Sequence, residues 1–303
     1  MLQLQRTFTG HRGPIYAMHT VPDRETFISG GGDGHVVGWD PRGTDHGVVM
    51  VAVEQAIFAL HHDGRWLHIG TEGGDLHVVD MELRREFHRY QVHTKGIFRI
   101  ISLPQERIAC AGGDGSISIW NRQSNGALRL FRHLPLAQAK LRDLALDPDG
   151  GTLAVACGDG LIRLLDTELF NEYAFITAHA SPEDGSPSTG VSSLAYHPQK
   201  PVLVSGGKDG HIAAWKIADH TPVLRSPAHK GGIYKVLFHK DLCATVSRDK
   251  TVKIWSAGSL EPIQRLDRAA GGHTHSVNAA LWCAGSLITA SDDRTIKVWG
   301  LAS

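Results

Sequence analysis

Residues 29–40 read SGGGDGHVVGWD, and the pattern returns as AGGDGSISIWN at 111–121, SGGKDGHIAAWK at 205–216, TVSRDKTVKIWS at 245–256 and TASDDRTIKVWG at 289–300. In each copy an aspartate stands six residues before a tryptophan: Asp33 and Trp39, Asp114 and Trp120, Asp209 and Trp215, Asp249 and Trp255, Asp293 and Trp299. Two weaker copies fill the gaps. GTEGGDLHVVD at 70–80 has Gly73 and Val79 at those positions, and ACGDGLIRLLD at 156–166 keeps Asp159 but has Leu165. The reference positions 39, 79, 120, 165, 215, 255 and 299 are 40, 41, 45, 50, 40 and 44 residues apart. A period of this length marks a chain built from stacked supersecondary units.

Each unit reads as four strands. Alternating or wholly apolar runs such as VSSLAYH, VLVSG and HIAAWKI are separated by Gly, Asp or Pro turns. The pairs Asp33-Gly34, Asp114-Gly115, Asp159-Gly160 and Asp209-Gly210 stand between two strand runs, where a two-residue hairpin requires positive φ. No segment of useful length has helical periodicity. Seven small sheets cannot hide their faces singly, but set radially each packs on its neighbours and only short edges remain. The expected class is all-β.

Composition narrows the function. The 303 residues carry 31 Lys and Arg against 31 Asp and Glu, so there is no surplus positive charge for bulk binding to nucleic acid or membrane. With 42% hydrophobic residues a full core can be buried. Cys110, Cys157, Cys243 and Cys283 are scattered without a CxxC pair, which points away from a disulfide framework or zinc finger and towards a reducing, cytoplasmic compartment. The opening MLQLQRTFTGH has no apolar core and no run of 18 apolar residues occurs, so neither secretion nor membrane spanning is expected.

With the repeats laid out, the sequence resembles the WD40-repeat family, whose fold is a seven-bladed β-propeller, over essentially all 303 residues. The family's Gly-His or Ala-His at the start of a blade is matched by His11, His93, His179, His229 and His273. The resemblance implies one domain, 1–303, with blades near 11–52, 53–92, 93–132, 133–178, 179–228, 229–272 and 273–303 plus 1–10. The last copy stops four residues after Trp299, too soon for a fourth strand, and LQLQRTFTGH resembles the missing segment. Residues 2–9 are therefore expected to supply the outer strand of the last blade.

Several patterns imitate chemistry. His11, Ser29 and Asp33, then His179, Ser205 and Asp209, His229, Thr245 and Asp249, and His273, Thr289 and Asp293 each offer a base, a hydroxyl and a carboxylate. An active site occurs once, whereas a structural network recurs in every blade. The resemblance implies that these sets, with Trp39, Trp215, Trp255 and Trp299, form buried hydrogen-bonded tetrads, so no catalytic residue is expected. The glycine clusters Gly30 to Gly34 and Gly112 to Gly115 lead into strands and lack GxxxxGK[ST], which makes them turns instead of phosphate loops. His61, His62 and His68, or His273 and His275, have no carboxylate or Cys ligands at recognisable spacing, and neither metal nor cofactor is expected.

Function is then expected on a propeller face. In the family, the third and fifth residues after the blade-start His and the residue before the turn Asp face the narrow top surface. The fifth positions are Tyr16, Phe58, Phe98, Arg142, Ser192, Tyr234 and Asn278; each aromatic follows an isoleucine, whose alternate direction would put it between blades. Lys140, Arg142, Lys208 and Arg248 add a cationic arc, with Glu72 and Asp292 as acids. An exposed aromatic half-ring beside cations suits capture of a partner protein or peptide, an apolar segment with acidic or phosphorylated flanks. The largest exposed apolar patch is expected over Tyr16, Phe58 and Phe98. The alternatives are RNA, another polyanion or a small ligand at the channel mouth, or a propeller enzyme. Polyanion binding would fall steeply with salt. Residues 181–190, SPEDGSPSTG, lengthen the step from His179 to Val191 to 12 positions against four from His229 to Ile233, and form a loop on the same face, either tolerated slack or a lid.

Overall fold

A computed structural model of the chain describes residues 1–43, 46–179 and 190–301. The apolar runs form strands because β-branched and aromatic residues suit a pleated, half-buried surface. These assemble into seven four-stranded antiparallel sheets. Blade one contains Ile15–Thr20, Phe27–Gly31, His35–Trp39 and Val48–Ala52, and the next five blades repeat this meander in chain order. Blade seven contains Val277–Cys283, Ser286–Ser291 and Ile296–Leu301, and its outer strand is Leu2–Phe8, as expected from the truncated last repeat. Leu2 donates its N–H to Gln264 Oε1 at 2.8 Å and accepts from Gln264 Nε2 at 2.8 Å, which ties the closing strand to blade six.

The hairpin turns behave as the Asp-Gly pairs require. Gly34, Gly115, Gly160 and Gly210 have φ of 71°, 84°, 89° and 76°. At Gly115 a Cβ would also lie 1.9 Å from the carbonyl oxygen of Ala137, so only glycine fits. Blades six and seven place Lys250 and Arg294 at φ 73° and 65° instead.

Burial follows from the radial arrangement. Each of seven apolar clusters lies between two neighbouring blades; one joins Phe8, Trp39 and Ile15 to Ile288, Ile296 and Val298 across the closure. The innermost strands pack on one another around the ring, Ile15–Thr20 against both Ile57–His62 and Val277–Cys283. They surround a central channel. No described helix is long and apolar enough to cross a membrane.

Candidate functional site

The residues that imitate catalysis form closed networks. His11 Nε2 lies 2.7 Å from Ser29 Oγ, Trp39 Nε1 donates to the same oxygen at 2.7 Å, and His11 Nδ1 lies 2.9 Å from Asp33. Blade five brings together His179, Ser205, Asp209 and Trp215, blade six His229, Thr245, Asp249 and Trp255, and blade seven His273, Thr289, Asp293 and Trp299. Each hydroxyl is fully buried and already engaged by a ring nitrogen and an indole N–H, leaving no approach for a substrate.

A fifth network in blade three escapes the sequence register. Cys110 occupies the hydroxyl position, but Ser118, its partner across the strand pair, supplies the oxygen: His93 Nε2 lies 2.9 Å away and Trp120 Nε1 donates at 3.0 Å. In blades two and four, which lack the histidine, other pairs take over. Gln55 Oε1 accepts from Thr71 Oγ1 and the N–H of Gly73, and Asp159 pairs with Arg163 at 2.8 Å.

A bulge explains why the fifth-position residues converge. In all seven blades the innermost strand carries one residue without a partner on the second strand, and these are Tyr16, Phe58, Phe98, Arg142, Ser192, Tyr234 and Asn278. The flanking Ile15, Ile57, Ile97 and Ile233 are fully buried between blades. A bulge breaks alternation and re-aims its extra side chain. All seven, with Asp292, line one cavity of about 350 Å³ at the channel mouth.

Its walls differ in chemistry. Tyr16 meets Phe58 edge-on at 5.2 Å, and Phe58 stacks on Phe98 at 5.3 Å. Arg142 lies over Phe98 at 4.3 Å and Lys140 at 5.6 Å. Burial, Asp292 and Glu72 raise the phenol pKa of Tyr16, while burial followed by Arg142 and Lys140 lowers that of Lys208. The mouth therefore has an acidic side on blades seven, one and two and a basic side on blades four to six. Asn278 Nδ2 donates to Asp292 at 2.7 Å and to the carbonyl of Ile15 at 3.0 Å, closing the acidic side on itself. Lys140, Lys208, Arg248 and Glu72 are exposed, outside the cavity wall.

The expected apolar patch is not where it was placed. Tyr16, Phe58 and Phe98 are half-buried because the rings cover one another, whereas many of the exposed large apolar side chains are on outer strands, such as Val48 at 67% and Phe175 at 59%. Beneath the mouth the channel narrows to about 100 Å³ around a group that sequence spacing could not reveal. Asp143 Oδ2 receives Lys235 Nζ at 2.9 Å, Ser193 Oγ at 2.9 Å and the N–H of Leu194 at 3.1 Å, while Arg99 lies 3.2 Å from Oδ1. Burial raises the pKa of Asp143, but Lys235 and Arg99 outweigh it and hold the carboxylate ionised.

Among the described residues, His93, Asp114 and His133 are the one His/Cys/Asp/Glu group whose atoms lie close enough to share a metal ion. Spacing hid it, since His133 comes from the outer strand, and His93 and Asp114 are already committed to the blade's network. His61 is spent on Ser102 at 2.7 Å, and His275 lies 3.0 Å from Thr274 Oγ1. The four cysteines are buried and unpaired, with Cys110 and Cys157 pushed by burial up to about 12. Of the 181–190 segment, only Gly190 is among the described residues.

The WD domain, G-beta repeat profile matches residues 2–40, 84–121, 129–166, 176–216, 220–256 and 261–300, passing over much of the divergent second blade. The chain is 26% identical over 239 residues to mouse WD and tetratricopeptide repeats protein 1, covering 73% of this chain and 33% of that protein. It is 27% identical over 157 residues to the target of rapamycin complex subunit wat1 of Schizosaccharomyces pombe, covering 49% of this chain and 46% of the other. Over 254 residues it is 22% identical to chicken serine-threonine kinase receptor-associated protein, covering 82% and 68%. The chain thus spans a third to a half of the first two relatives. With repeats of this profile matched along most of its length, the chain belongs to the WD40 repeat family.

Proposed function

We propose that this propeller is a non-enzymatic, cytoplasmic scaffold that captures a partner protein or peptide on its top face, over the channel mouth. The observation that carries this reading is the convergence of seven bulged side chains, one per blade, on a single cavity with an aromatic arc and a basic side. Rigid aromatic and Arg side chains held at one place by scaffold strands supply most truncation-sensitive binding energy. The partner is an apolar segment with acidic or phosphorylated flanks: the apolar part covers Tyr16, Phe58 and Phe98, and the flanks meet Lys140, Arg142, Lys208 and Arg248. Tyr234, Asn278, Glu72 and Asp292 complete the surface. A relative that is by name a subunit of a complex fits a partner-dependent role. Zero net charge and an acidic wall at the mouth argue against a nucleic acid.

Affinity capture from native lysate tests the surface. Tyr16→Ala, Phe98→Ala and Arg248→Glu should each weaken recovery of the partner about fivefold or more, the loss typical of a truncated interface anchor, with melting temperature nearly unchanged. Recovery unaffected by all three rejects the assignment.

A further inference from the structure

We propose that the basic side of the mouth is a site for one tetrahedral oxyanion, inorganic phosphate or the phosphoryl group of a modified side chain, held by Arg142, Ser192 and Tyr234. It rests on the reading of the mouth as the binding surface and names the group that enters it.

The three residues come from consecutive blades, and their bulges aim them into the same cavity of about 350 Å³. Ser192 is 5% exposed, and its Oγ is buried without a hydrogen-bond partner among the described residues. Native folds pair nearly all such groups, so a buried orphan hydroxyl facing a cavity points to a ligand that completes it. Arg142 makes no hydrogen bond or ion pair among the described residues; its guanidinium rests on Phe98 at 4.3 Å, which fixes its plane and leaves its N–H edge free. The Tyr234 hydroxyl likewise has no partner among the described residues.

The neighbouring polar groups lack this freedom. Arg99 and Lys235 are committed to Asp143, and Asn278 to Asp292 and Ile15. Among the described residues, free donors are thus gathered on blades four to six, with Lys140 and Lys208 at the rim above them and in no ion pair there. A carboxylate would occupy the guanidinium edge with its two oxygens and leave Ser192 and Tyr234 unmet. A tetrahedral group has oxygens for the guanidinium and for both hydroxyls.

Inorganic phosphate, titrated against chloride at matched ionic strength by calorimetry and thermal unfolding, tests the site. Phosphate should bind and raise the melting temperature of the wild type. Arg142→Gln should weaken binding about tenfold or more, as loss of a charge-assisted hydrogen bond does, and Arg129→Gln on the outer strand of blade three should not. Ser192→Ala should lose part of the affinity without lowering the melting temperature of the free protein, whereas a structural hydroxyl would lower it. Phosphate no better than chloride, or both site variants binding like wild type, overturns the proposal. Binding of O-phosphoserine or O-phosphotyrosine amide at least as tight as that of phosphate assigns the site to a modified partner, and binding of inorganic phosphate alone assigns it to the free ion. Loss of phosphate binding with partner capture still sensitive to Tyr16 and Phe98 would remove the oxyanion and leave the docking surface standing.

Discussion

At Asp249 two effects oppose each other: burial pushes the carboxyl towards its neutral form, and His229, Thr251 and the N–H of Lys230 hold it ionised and prevail. Burial likewise loses to hydrogen bonds at Asp114 and Asp209, both held down to about 2. Asp249→Ala strands the His229 ring and several N–H donors, so it should cost about 2 kcal/mol or more of unfolding free energy, measured by urea titration. Acid acts through the same groups. The folded aspartates bind protons below their unfolded pKa of about 4, so their stabilisation is present above pH 4 and lost as pH falls towards 2. Burial lowers His19 to about 4 and His68 to about 3. The unfolded chain takes up those protons near pH 6.5 while the fold refuses them, so stability should already decline between pH 6.5 and 4. His19→Gln should flatten that limb, and a wild-type curve level over this range would contradict the assignment. The four regular tetrads were legible because each residue repeats in register. Ser118 was not, since only strand pairing shows that it faces Cys110.

The elements were readable wherever a turn has its own chemistry. Asp-Gly pairs set four hairpins, and at the same position Lys250 must hold φ 73°, a conformation that costs a side-chain-bearing residue about 1 kcal/mol. Lys250→Gly should therefore stabilise by up to about 1 kcal/mol, less the entropy that glycine loses on folding. Gly115→Ala should destabilise strongly, because its Cβ meets the carbonyl of Ala137 at 1.9 Å. Thermal melts of both report the sign directly. The bulges were not legible. A strand with one extra residue has the same composition as a regular one, and the displacement appears only when Ile15 is seen opposite Gly31 and Ala17 opposite Gly30. Simple alternation accounts for the buried isoleucines but not for seven side chains reaching one mouth.

For the whole molecule, periodicity carried nearly everything: the ring, the blade count and closure by the first strand follow from a pattern spread over the chain. Deleting residues 1–9 removes the buried Leu2 and Phe8 and bares an edge of blade seven, and losing one buried Phe alone costs about 3 kcal/mol or more. The melting temperature should drop by many degrees, and an unchanged value would reject the closure. Surface exposure was not legible, because whether rings cover one another depends on how the blades converge. That leaves two candidate faces, the half-buried mouth and the apolar outer strands. A photo-crosslinking phenylalanine analogue placed at Phe98 or at Phe175 decides between them in native lysate. Discrete partner adducts from position 98 and none from 175 are the predicted result; adducts from 175 with none from 98 would contradict a functional channel mouth.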